Sequence, residues 1–147
     1  MKKIISLSTV FVAVMILFSS CGKYEEGPMI SLKSKEARVE GTYSMVKAYK
    51  NGIEDSDKVE YYANTTFVYN EDGTGETQYR EDSFTINNDL EWEFSDDETK
   101  LLQREKSIIS GNWGEWEEFL IIRLTDTEMW LQEYDILDNQ WEYHYKE

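Results

Sequence analysis

The sequence predicts an all-β protein, an eight-stranded antiparallel up-and-down barrel with a short N-terminal helical turn. Three observations carry that expectation. From Gly41 onward, apolar and polar residues alternate in short runs, which is the period of a half-buried strand. Clusters of Asp, Asn, Gly and Thr separate those runs at hairpin spacing. With 40% hydrophobic and 14% aromatic residues among 147, the chain also has the material for a sizeable core in one domain despite its charge.

Residues 1–20 read as an export signal. Met1-Lys2-Lys3 is a basic start, Ile4 to Phe18 is apolar apart from Ser6, Ser8 and Thr9, and Ser19-Ser20 places small residues before Cys21. That apolar run is shorter than the roughly 20 residues a spanning helix needs. Residues 21–40 read as a polar tether of mixed charge, broken at Gly27-Pro28. Ser34, ahead of Lys35-Glu36-Ala37-Arg38, is placed to cap one helical turn, because a serine oxygen satisfies a free N–H at a helix start.

Residues 41–147 form the barrel domain, with eight expected strands. The first runs from Gly41 to Lys50. The second, Val59 to Asn70, sets Val59, Tyr61, Ala63, Phe67 and Tyr69 on one parity. Asn70-Glu71-Asp72-Gly73-Thr74-Gly75 is a hairpin signal, since glycine takes the positive φ that tight turns demand, and Thr74 to Arg80 returns. The fourth strand starts at Ser83 or Leu90 and ends at Ser95, with Leu90, Trp92 and Phe94 alternating with polar neighbours. Asp96-Asp97-Glu98 turns the chain into Thr99 to Glu105. The sixth, Trp116 to Leu124, places Trp116, Leu120, Ile122 and Leu124 on one parity. After Thr125-Asp126-Thr127, Met129 to Asp135 follows, and Asp138-Asn139-Gln140 turns into Gln140 to Lys146. Short turns between consecutive strands favour a meander, and eight strands close into a barrel without edges; a sandwich of similar strand count is the alternative.

The 30 acidic residues against 15 basic ones give a formal charge of -15. Removing residues 1–20 takes away Lys2 and Lys3 and no acid, leaving 13 basic and 30 acidic groups and a net charge of -17. Such a domain is repelled by a phosphate backbone, so nucleic acid is excluded as a partner. It is also pushed away from anionic lipid, so any membrane attachment falls to a tether. Cys21 is the single cysteine and has no partner for a disulfide within the chain.

The start of the chain resembles a bacterial lipoprotein signal, in which small residues precede a cysteine that receives lipid and becomes the mature N-terminus. That resemblance implies lipidation of Cys21 by a diacylglycerol thioether and an amide-linked chain such as palmitate, enough for stable anchoring. Phe18 stands where such signals usually carry leucine, and an ordinary cleaved signal is the alternative. Glu25-Glu26 behind the cysteine resembles the export signal by which Bacteroidota send lipoproteins to the outer face of the outer membrane. Gly41-Thr42-Tyr43 is similar to the Gly-x-Trp of lipocalins, with Tyr43 in place of tryptophan. Phe67 to Gly75 and Leu124 to Leu131 are similar to hairpins of the lipocalin-like lipoproteins of Bacteroidota. The resemblance implies a lipocalin-like barrel at the cell envelope, and ligand transport does not follow from architecture.

Chemistry is sparse. His144 is the only histidine and falls on the polar parity of the last strand, a surface histidine without a second one to share zinc. Glu117 with Glu118 and Glu133 with Asp135 are carboxylate pairs of a kind that 30 acids make unavoidable. Asn70-Glu71-Asp72-Gly73 lacks the surroundings of a calcium loop. No enzyme, metal or cofactor is expected.

The aromatic set remains. Phe67, Trp92, Phe94 and Trp116 are the expected walls of an interior that takes a small apolar or aromatic ligand, and Trp113, in Ser110-Gly111-Asn112-Trp113-Gly114, is expected in a loop over the barrel mouth. The second reading is a filled barrel whose loops, with Trp113 as a contact, serve a protein or glycan partner at the envelope.

Overall fold

The computed structural model describes residues 33–147; the signal segment, Cys21 and Glu25-Glu26 lie outside them. The order is α1 (Glu36–Val39), β1 (Gly41–Lys50), β2 (Ile53–Glu54), α2 (Ser56–Tyr61), β3 (Thr65–Tyr69), β4 (Thr74–Glu81), β5 (Phe84–Phe94), β6 (Lys100–Glu105), β7 (Glu117–Leu124), β8 (Glu128–Tyr134) and β9 (Gln140–Lys146). β1 and β3 to β9 pair antiparallel with their neighbours, and β1 pairs with β9, from Ser44 opposite Lys146 to Lys50 opposite Trp141. This is the expected eight-stranded up-and-down barrel. β2 is a two-residue addition to the end of β1, with Tyr49 opposite Glu54 and Lys50 opposite Ile53.

The turns form where their chemistry demands. Between β3 and β4, Gly73 has φ +85, and the Asp72 carboxylate accepts from the Thr74 N–H at 3.0 Å and from its hydroxyl at 2.6 Å. Between β8 and β9, the Asp135 carboxylate gathers the N–H groups of Leu137 (2.8 Å) and Asn139 (3.0 Å) and the Trp141 indole (3.2 Å). Those donors hold its pKa well below the usual carboxylate range, with the Asn139 side chain the largest cause.

Two sequence expectations are corrected here. The strand expected from Val59 starts only at Thr65, because the Asp55 carboxylate caps a helix by accepting from the Lys58 N–H at 2.9 Å. Val59 of α2 and Tyr62, its C-cap, then pack against the core. In β7 the inward residues are Phe119 and Ile121, not Leu120 and Ile122. A bulge between Ile121 and Arg123 shifts the parity so that Leu124 alone of the expected set is buried.

One end of the barrel is packed solid. This is the end where β1 begins, and α1 plugs it: Val39 is fully buried, and the Ala37 N–H is taken by the Ser34 hydroxyl at 3.1 Å as the sequence suggests. The Tyr43 hydroxyl donates to the Arg38 carbonyl at 2.9 Å, tying plug to strand. Tyr69 meets Tyr43 edge-on at 6.1 Å between centroids and Trp92 at 6.2 Å. Leu90, Leu101, Leu124, Met129 and Leu131 fill the space around these rings. Burying a side chain of the size of Trp92 stabilises the fold by about 3–5 kcal/mol relative to alanine.

Candidate functional site

The other end is open. Above the packed floor lies a cavity of about 580 Å³, within the range of small-molecule sites. It is lined by Met45 of β1, Thr65 and Phe67 of β3, Thr77 and Tyr79 of β4, Gln103 of β6, Phe119 of β7 and Tyr143 and Tyr145 of β9, with Lys58 and Tyr61 of α2 and its C-cap Tyr62 at the mouth. Phe67 meets Tyr145 edge-on at 5.3 Å and Tyr62 at a tilt at 6.1 Å, so these three rings form one aromatic patch of the wall. The loops around the mouth expose further apolar tips: Ile53, Tyr61, Phe84, Ile109, Ile136 and Leu137 all stand in solvent at this end.

Three carboxylates, Glu105, Glu117 and Glu133, line the same cavity. The Thr77 hydroxyl donates to Glu105 at 2.6 Å, and the Tyr143 hydroxyl donates to Glu133 at 2.7 Å. Burial, then Glu133, then Glu105 push the Glu117 pKa up. Lys58 is the cation lining the cavity among the described residues, and its ammonium lies 5.4 Å from the Tyr62 ring centroid and 5.8 Å from that of Tyr143. Burial and the Glu133 contact raise the Tyr143 pKa, so its hydroxyl stays a donor.

The five sequence candidates do not come together. Phe67 faces the cavity. Trp92 points inward but into the packed floor, where its indole N–H donates to the Asn70 carbonyl (3.0 Å) and the Thr74 carbonyl (3.1 Å). Phe94 stacks edge-on against Trp92 at 5.7 Å near that same closed end. Trp116 precedes β7 and lies outside, its ring 4.6 Å from the Arg104 guanidinium. Trp113 is not over the mouth. A bridge to Lys106 fixes its loop against the outer wall, and its ring also lies against Arg104, at 5.1 Å. Cys21, the expected lipidation site, lies outside the described residues.

His144 is also corrected. It points outward as its parity implies, yet it is buried, stacked on Trp130 at 3.9 Å, with Tyr49 at 5.2 Å and its Nε2 2.5 Å from a Glu142 oxygen. Among the described residues no group of three or more His, Cys, Asp or Glu side chains is arranged to hold a metal ion.

Phe67 is the only lining residue that the sequence marks as part of a site; those missed include the three glutamates, Lys58, Thr65, Thr77, Gln103, Phe119 and Tyr145. A signal was present. Glu105 continues the inward parity of Leu101 and Gln103, Glu117 that of Phe119 and Ile121, and Glu133 that of Met129 and Leu131.

No protein-family model matches the chain, and no curated protein matches it. Among solved structures it is similar to a deswapped triple mutant of bovine odorant-binding protein, at 14% identity over 75% of this chain and 74% of that one, with a TM-score of 0.42. It is likewise similar to odorant-binding protein from bovine nasal mucosa, at 14% identity over 80% of this chain and 76% of that one, with a TM-score of 0.43.

Proposed function

We propose that this protein is a non-catalytic binding module of the cell envelope, whose barrel takes one small molecule with an apolar or aromatic body. The cavity of about 580 Å³ carries the reading, because an interior that needed only to be stable would be filled at both ends, as it is at the closed one. The apolar tips around the mouth fit a guest that arrives from an apolar phase. The sequence supports the rest of the reading. Lipid on Cys21 anchors the chain to the outer membrane, in the manner of the lipocalin-like lipoproteins of Bacteroidota, and the domain faces the cell exterior.

Fluorescence titration of the full chain with the uncharged probe N-phenyl-1-naphthylamine tests the binding. The expected result is a saturable rise in probe emission at one equivalent. Thr65→Trp, which projects a ring into the cavity, is expected to abolish it while leaving the circular dichroism unchanged. No rise with the parent chain removes this reading in favour of a protein or glycan partner held by the loops. The anchor is tested separately, by metabolic labelling with a palmitate analogue: label surviving Cys21→Ala sinks it.

A further inference from the structure

We infer that the cavity selects organic ammonium ions: the guest is an amine whose cationic head sits among Glu105, Glu117 and Glu133 and whose apolar body lies against Phe67 and Phe119. This rests on the binding reading above and names the class of ligand. Four observations carry it.

The first is charge gathered around a half-open cavity. Three carboxylates line the cavity and one lysine accompanies them, so the site keeps an excess of negative charge where partial desolvation makes each charge count for more than in bulk water. A neutral guest leaves that excess uncompensated, and a fatty acid adds to it.

The second is the resident cation. The Lys58 ammonium rests over the rings of Trp141 at 5.0 Å, Tyr62 at 5.4 Å and Tyr143 at 5.8 Å. The mouth thus already holds an ammonium in an aromatic frame, the recognition that alkylammonium ligands receive elsewhere.

The third is polar capacity left unused deep in the wall. Gln103 is 8% exposed and lines the cavity; its side-chain oxygen accepts from the Tyr69 hydroxyl at 2.8 Å, and its amide nitrogen has no hydrogen-bond partner among the described residues. Thr65, 7% exposed, likewise brings to the cavity a hydroxyl without a partner among them. Both atoms open onto the cavity, where water or the polar head of a guest completes them. The fourth is that Glu117 takes no hydrogen bond from the described residues, whereas Glu105 and Glu133 each do. Glu117 is exposed at the open end, so of the three its carboxylate is the most accessible to an entering guest.

The test is a competition at pH 7.5 in which decylammonium, decanol and decanoate, below their aggregation concentrations, displace N-phenyl-1-naphthylamine from the full chain. Decylammonium is expected to act at about tenfold lower concentration than decanol, with decanoate the weakest, a tenfold ratio being what about 1.4 kcal/mol of differential binding produces. In Glu117→Gln the ratio of decanol to decylammonium concentrations needed for displacement is expected to shrink several-fold. In Lys58→Met it is expected to grow. Equal displacement by decylammonium and decanol, or tighter binding of decanoate, overturns the inference and leaves the binding module standing. Failure of the probe itself to bind removes both.

Discussion

Glu117 shows how a single side chain can serve a site at the expense of the fold. Its pKa is raised by burial and by the charges of Glu133 and Glu105, so the folded chain holds a proton there more tightly than the unfolded one does. Stability from this group is full below the ordinary glutamate value and is lost as the pH rises through the raised one. Glu117→Gln is therefore expected to raise the melting temperature at pH 7 and to leave it unchanged at pH 4, measured by circular dichroism in the absence of ligand. A lower melting temperature at pH 7 would contradict this assignment of repulsion. The same residue marks the limit of what can be read from the chain. Glu117, Glu105 and Glu133 lie on inward parities, but an acid at a strand end looks like every other solvated acid in a chain of 30, and only closure of the barrel shows that the three ends face one another. Large aromatics gave the opposite error. Trp92 and Phe94 were legible as inward-facing, but not as floor rather than wall, because parity reports the face of a strand and not the height along it.

Among the elements, the hairpins were the most legible and α2 the least. Asn70-Glu71-Asp72-Gly73 could be read because its chemistry is local: a carboxylate, a glycine, and the N–H and hydroxyl of Thr74 within one turn. Gly75, two residues on, has a different task. It is buried, and a Cβ there would collide with the Val68 carbonyl of the facing strand and press on Leu90. Gly75→Ala is thus expected to cost about 1–3 kcal/mol, the usual range for overpacking, seen as a lower urea midpoint with unchanged slope. A neutral result would mean that β3 and β4 can move apart without loss. By contrast, α2 was hidden. The alternation of Val59, Tyr61 and Ala63 fits a strand as well as a helix, and the deciding contact is the Asp55 cap acting on Lys58. The bulges in β1, between Met45 and Lys47, and in β7, between Ile121 and Arg123, were equally silent, since they answer to the curvature of the closed sheet.

For the whole molecule, the interior is unusual in its phenols. Tyr69 and Tyr145 are buried along the barrel axis with Tyr43 below and Tyr143 above, and burial is the largest cause raising each of their pKa values, to about 12 for Tyr43. Unfolding lets all four ionise near pH 10, so their stabilisation is complete below that point and is lost as the pH rises through 12 and beyond. A pH series of thermal melts is expected to stay level up to pH 10 and then fall steeply, with tyrosinate absorbance appearing together with unfolding; absorbance that precedes unfolding would place these hydroxyls in solvent. The seam between β1 and β9 sets a different kind of limit, one of time. Ser44 meets Lys146 and Lys50 meets Trp141, so the first strand of the sheet waits, with its edge unpaired, for the last one to be made. No early fragment can bury that edge, and the closing step carries the longest loop-closure cost in the fold. Until then the chain is an open, acidic ribbon, and its net charge of -15 keeps those unfinished edges apart from one another and from those of other copies.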